Sequence, residues 1–202
     1  MDVLSWVSIF TIITILIGLA STLKITFSIK SAYLVLLTLA LVSYLGSNII
    51  YVIDTGLSTS IKWLNLITLC FLLSSQFGLI RDSQPVFARF PIYLIYLPFI
   101  LLFFFPLIVS QNVLTNLLIG TLQGGCITVA LLMYGIHQFR EGHYIWQLSS
   151  SILFLISFII FWFADFVERI EIISAEILIA FGIILLTTGI YTSNKNKLNV
   201  KS

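Results

Sequence analysis

Charge is the scarcest thing in this chain. Ten Lys and Arg and eight Asp and Glu make up 9% of its 202 residues, where a soluble globular domain carries about a quarter. So few ions can build neither a solvated surface nor a phosphate-binding basic patch, which excludes a water-soluble enzyme and a nucleic-acid binder. Cysteine is nearly absent too. Cys70 and Cys126 both fall inside apolar runs, where they read as small packing residues rather than a disulfide framework. Proline is confined to one region, Pro85, Pro91, Pro98 and Pro106, so the rest of the chain is free to run as unbroken helix. The sequence has no HExxH, no GxSxG and no Walker or dinucleotide loop. It has no lysine in the core of an apolar run to carry a retinal, and no arginine-rich sensor segment. It has no two carboxylates at one mid-membrane level for an aspartyl protease, and no matched pair of broken helices for an inverted-repeat carrier. His137 and His143 flank Arg140 without metal-ligand spacing. No metal and no organic cofactor is expected.

What fills the chain instead is hydrocarbon. Hydrophobic residues make up 59% and mean hydropathy is +1.12, which describes an integral membrane protein. A span needs about 20 apolar residues to cross a hydrocarbon core about 30 Å thick. Seven segments qualify: Val3 to Thr22, Ser31 to Ile53, Ile61 to Ile80, Pro91 to Ser110, Asn112 to Phe139, Tyr144 to Phe166 and Ile172 to Tyr191. The expected fold is an all-α, seven-transmembrane-helix bundle over residues 1–192, with a frayed basic tail over 193–202. LKITFSIK reads as a basic connection, and RDSQPVFARF as the longest polar break of the first half. Pro98 and Pro106 each remove an intrahelical hydrogen bond, so the fourth helix should bend. Trp6, Trp63, Trp146 and Trp162 lie near segment ends, as in an aromatic belt.

Orientation follows the basic residues. Lys24, Lys30, Arg81, Arg89, Arg140, Lys195, Lys197 and Lys201 share one side, against Lys62 and Arg169 on the other. That bias puts the amino end outside and the carboxyl end in the cytoplasm, and a bacterial inner membrane is the expected location. Asp2, Asp54, Asp165, Glu168, Glu171 and Glu176 then mark an acidic outer face, with Asp82 and Glu141 inside.

Polarity enters the apolar chain in a helical rhythm at SYLGSNIIYVID, where Tyr44, Ser47, Asn48, Tyr51 and Thr55 recur at three- and four-residue steps. A polar group left in hydrocarbon costs several kcal/mol, so this face should turn inward. With Asn65, Asn116, Gln123, Asp165 and Glu176, the residues Tyr44, Ser47, Asn48 and Tyr51 form the candidate ligand-binding set of an outward-opening pocket. The same side chains would also serve as interhelical glue. For Glu176 the sequence favours a first-turn position behind an N-cap at Ser174. The alternative is a helix starting near Glu171, which would carry Glu176 into the membrane as a proton or cation partner. Gln123 lies deeper, while Gln76 and Gln147 sit toward the inner ends, where snorkelling relieves them. Gly120 and Gly124 offer a close-approach face to another helix of the chain or to a second copy.

The runs SAYLVLLTLALVSYLGSNII and HYIWQLSSSILFLISFIIFWFADF resemble the second and penultimate blocks of the lysoplasmalogenase-like membrane family. The resemblance implies cleavage of vinyl-ether lipids by intramembrane aspartates. Here those places read Gly46-Ser47-Asn48 and Ser157-Phe158, so it points to a degenerate relative without its acids. The expectation from the residues themselves is a sensory, ligand-binding or accessory module. It would sit in the lipid bilayer, bind no nucleic acid, and reach a membrane or cytoplasmic protein partner through its basic inner loops. The competing expectation is a small-solute or cation carrier, with polar stripes continuing from Asn48 and Gln123 to Gln76 and Gln147.

Overall fold

The computed structural model describes residues 3–53, 57–83, 91–163 and 170–199. It is an all-α membrane bundle, with seven helical segments and no strand among the described residues. They are α1 (Val3–Ile29), α2 (Ala32–Ile53), α3 (Ser58–Ser83), a 3-10 stretch (Ile92–Ile100) continuing into α4 (Leu101–Ile108), α5 (Asn112–Glu141), α6 (Ile145–Phe163) and α7 (Ile170–Asn199). Five of these contain apolar stretches long enough to cross a membrane. Ile92–Ile108 and Ile145–Phe161 are shorter but equally apolar.

The short fourth segment still has the reach of a span. Nine residues at a 3-10 rise of about 2.0 Å and eight at an α-helical rise of about 1.5 Å extend about 30 Å. Prolines explain the tighter coil. Pro98 and Pro106 lie inside these segments and cannot donate to the turn before them. The Pro98 carbonyl also accepts a hydrogen bond from the Cys70 thiol at 3.3 Å, which fastens this stretch to α3.

Two segment ends differ from the sequence expectation. LKITFSI is not a connection: α1 runs through it to Ile29, with Thr22 and Ile25 fully buried and the Thr26 hydroxyl donating to the Thr22 carbonyl. The link to α2 shrinks to Lys30 and Ser31, and Lys30 takes φ 52°, the left-handed conformation that usually falls to glycine at a helix end. At the other terminus α7 continues to Asn199. Ser193 and Asn194 turn their side chains back onto the Gly189 and Ile190 carbonyls, so these first two polar groups of the supposed tail are absorbed by the helix itself.

The chain divides into two compact units, residues 30–126 and residues 1–29 with 127–202. In the first, α2 and α3 form an antiparallel hairpin, paired at Ser47 with Asn65 and at Tyr33 with Gly78. The 3-10 stretch and α4 run antiparallel to α3, with Phe71 edge-on to Phe99 and Trp63 edge-on to Phe105. Leu66, Cys70 and Phe105 form the core there, enclosed by Trp63, Phe99, Leu102, Leu118 and Leu122. Trp63 is partly buried against this core, while Trp6 and Trp146 are exposed. The first half of α5 runs parallel to α3, tied at Lys62–Asn112 and Gln76–Cys126.

In the second unit α7 is the shared element, packing against α1 and α6. Ala175, Gly182 and Gly189 recur every seven residues on α7. Opposite them on α6, Ser157 donates to the Ala175 carbonyl at 2.9 Å and Ser150 to the Gly182 carbonyl at 2.8 Å. The Phe154 ring covers Gly182, and the Gln147 side chain lies flat on Gly189. This register makes α6 and α7 antiparallel. Helix α1 runs parallel to α7, with Ser8 beside Glu176, Phe10 beside Phe181 and Gly18 beside Thr187.

A methyl group added at Gly189 would stand 2.6 Å from Gln147, and one at Gly182 2.5 Å from the Phe154 ring. Gly189→Ala should therefore lower the melting temperature in detergent, overpacking costing about 1–3 kcal/mol. Gly125→Ala, where nothing lies within 4 Å, should be neutral or raise it, since alanine is the better helix former by up to about 1 kcal/mol.

Candidate functional site

Seven of the nine candidate binding residues lie in the unit formed by residues 30–126. Ser47 is buried and donates to Asn65 Oδ1 at 2.7 Å, so these two are brought together across α2 and α3. Asn48 is half-buried and spends its amide on the Tyr44 carbonyl one turn back. Tyr44 and Gln123 are half-buried, while Tyr51 and Asn116 are exposed. The stripe on α2 is therefore split: Ser47 reaches a neighbouring helix, and Asn48 satisfies itself on its own. Asp165 lies outside the described residues, as do Asp54 and the loop from Gln84 to Phe90.

Glu176 belongs to the second unit. Ser174 does not cap α7, because the helix begins at Ile170 and reaches Glu176 in its second turn. The run IEIISAEI contains no helix breaker, so nothing stops the helix from starting before Ser174. One turn deeper than a capping position, Glu176 is half-buried on the helix that packs against α1. Its Oε2 is buried with no hydrogen-bond partner among the described residues.

Most other hydroxyls in the bundle are absorbed locally. Thr11, Thr38, Thr68, Thr121, Ser151 and Thr187 each donate to the carbonyl four residues back in their own helix. On α1 this hides a long stripe of its own: Ser8, Thr11, Thr14, Gly18 and Thr22 line one buried face at three- and four-residue spacing. The same period read on α2 would have found it.

The two inner glutamines are not snorkelling. Gln76 is 5% exposed and donates to the Cys126 carbonyl at 3.1 Å, and Gln147 is 2% exposed and donates to Ser193 Oγ at 3.1 Å. In both the side-chain carbonyl oxygen is buried without a partner. The Cys126 thiol turns to the Leu69 carbonyl at 3.6 Å.

At the end of α5, buried His137 places Nδ1 3.7 Å from Glu141 and its ring 5.1 Å from that of Tyr144, whose backbone N–H donates to Gln138 Oε1. Burial, and then the Glu141 carboxylate, push the Tyr144 phenol above its ordinary pKa. Among the described residues no three His, Cys, Asp or Glu side chains converge as a metal site would require.

No family model matches this chain, no curated protein matches its sequence, and no solved structure matches its fold. The resemblance to the lysoplasmalogenase-like family thus rests on its two quoted runs. At those places Ser47 is bonded to Asn65 and Ser157 to the Ala175 carbonyl.

Two outcomes check this geometry. Ser47→Ala and Asn65→Ala should each cost about 1 kcal/mol in detergent unfolding, and the double variant little more than either single one, because the two side chains satisfy each other. The Tyr144 shift has a definite sign. Between the ordinary phenol pKa of 10.0 and the higher native value the unfolded chain loses a proton that the folded chain keeps, so stability falls as pH rises through that window. Tyr144→Phe should flatten the alkaline limb of melting temperature against pH, and an unchanged limb would contradict the assignment.

Proposed function

We propose that the chain is a small ligand-binding or accessory module of a bacterial inner membrane. Its acidic end meets a small ligand outside, and its basic loops meet a protein partner in the cytoplasm. The observation that carries the reading is Glu176: a half-buried carboxylate in the second turn of a spanning helix, with Oε2 buried and without a hydrogen-bond partner among the described residues. An ionisable group within a spanning segment is costly and marks a binding or relay position by default.

Orientation supports the reading. Helix α1 runs parallel to α7, so the two ends of the chain lie on opposite sides if both helices cross, and the basic bias chooses the cytoplasm for the carboxyl end. Within the residue 30–126 unit, Lys62 donates to Asn112 Oδ1 at the end that the sequence bias of basic residues reads as outer, with Tyr51 and Asn116 exposed there.

The carrier reading has one observation in its favour. Gln76 and Gln147 each keep a buried carbonyl oxygen without a partner, which a passing donor could use. The hydrolytic reading has less, because Ser47 and Ser157 stand where the aspartates would and are already hydrogen-bonded.

Cysteine accessibility tests the proposal. Both native cysteines are buried, so the background is silent. Asn48→Cys and Asn116→Cys in intact cells should react with a membrane-impermeant maleimide from outside, and proteoliposomes of the unmodified chain should show no cation or solute uptake. Unreactive cysteines at both positions would remove the outward pocket, and uptake would turn the reading to a carrier.

A further inference from the structure

The fourth segment is wound unlike the other helices. Ile92–Ile100 is 3-10 over nine residues, whereas runs of this coil are uncommon beyond about three or four, and a longer one often marks a hinge. Pro98 lies inside it, but Pro106 lies inside α4, which stays α-helical. A proline therefore loosens the α-helical ladder here without forbidding it, and the two coils are close alternatives for IYLIYLPFI.

Length separates the alternatives. As wound, Ile92–Ile108 extends about 30 Å, the thickness of a typical hydrocarbon core, and α-helical throughout it would extend only about 25 Å. The α4 end is held in the core, with Phe105 fully buried and Trp63 edge-on to it at 4.7 Å. Toward the other end the ties to α3 are the Cys70 thiol on the Pro98 carbonyl and Phe71 edge-on to Phe99. Ile95 and Pro98 are buried, while Tyr93, Tyr96, Leu97 and Ile100 are exposed. All of these side chains are apolar or aromatic, so lipid accepts whichever face the segment turns to it.

We propose that Ile92–Ile100 is an adjustable length of span that responds to hydrophobic thickness, 3-10 in a bilayer of about 30 Å and α-helical in a thinner one. In the thicker bilayer an α-helical fourth segment would fall short and have to thin the lipid around it, which the longer coil avoids. In the thinner one the 3-10 form is too long, and rewinding removes the excess while restoring the better-aligned bonds to the carbonyl four residues back. Nine residues passing from three to 3.6 per turn shorten the segment by about 4–5 Å and turn its Pro91 end by about half a turn relative to α4. The same rotation carries the Pro98 carbonyl off the Cys70 thiol, so that bond is the catch of the extended form. The inference needs the fourth segment to cross the bilayer and is independent of Glu176 and of the outward pocket.

The experiment measures the length of the segment against lipid. The full chain carrying Ile92→Cys and Leu107→Cys, both at exposed positions, is spin-labelled and placed in nanodiscs of dimyristoleoyl, dioleoyl or dieicosenoyl phosphatidylcholine, whose hydrocarbon cores thicken in that order. The native cysteines are buried and stay unlabelled. The label distance, read by pulsed electron–electron double resonance, should be long in the two thicker bilayers and shorter by about 4–5 Å in dimyristoleoyl lipid. A pair on α1, Ile13→Cys with Phe27→Cys, should keep one distance throughout, because a continuous α-helix meets thickness by tilting. Pro98→Ala, which restores the missing donor, should give the short distance in every bilayer. A constant distance between positions 92 and 107 across the lipid series would overturn the proposal, as would an equal change in the α1 pair or a Pro98→Ala protein that keeps the long distance throughout.

Discussion

A hydroxyl or amide in a hydrocarbon environment has few places to send its proton, and this bundle is ordered by where each one goes. For most of them the answer is the carbonyl one turn back. Thr11, Thr38, Thr68, Thr121, Ser151 and Thr187 all take it, and each thereby becomes nearly as apolar from outside as the aliphatic residues around it. The side chains that do not turn back are few, and they make the tertiary structure. Ser47 ties α2 to α3, Gln76 ties α3 to α5, and Ser150 and Ser157 tie α6 to α7.

The contact between α6 and α7 shows how this polarity and close packing need each other. A serine hydroxyl reaches a carbonyl of the opposite backbone only if no side chain intervenes. On α7, Gly182 provides such a place directly, and Ala175 nearly so. Gly189 does the same for Gln147, a side chain too large to be buried there against anything bulkier. Membrane helices gain little from hydrophobic burial against each other, since lipid is equally apolar, so small residues and cross-helix hydrogen bonds carry the association.

Much of the fold was legible in the sequence because the bilayer leaves so few alternatives. Apolar run length found each helical segment, and proline placement found the irregular fourth one. Segment ends were less legible. LKITFSI carries a lysine and three hydroxyl or aromatic residues, which reads as a connection, yet its hydroxyls fold back and Ile25 is fully buried. The α7 start was misjudged for a related reason: Ser174 has the side chain of a cap, but a cap requires the preceding chain to leave the helix, and it does not. Within the candidate set, Ser47 and Asn65 were legible as a pair of polar faces. Asn48 could equally bond its own helix, a choice made by side-chain rotamer and invisible to periodicity. The small-residue heptad on α7 was present in the letters Ala175, Gly182 and Gly189, but its meaning depends on the serines of α6 that face it.

The account stands on α1 and α7 being parallel membrane-crossing helices, with α7 delivering the carboxyl end to the cytoplasm. Reporter enzymes fused at each end of the chain in living cells measure this directly. An extracytoplasmic reporter should be active before Asp2 and inactive after Ser202, and a cytoplasmic reporter the reverse. Both ends on one side would contradict it, whatever the packing between them.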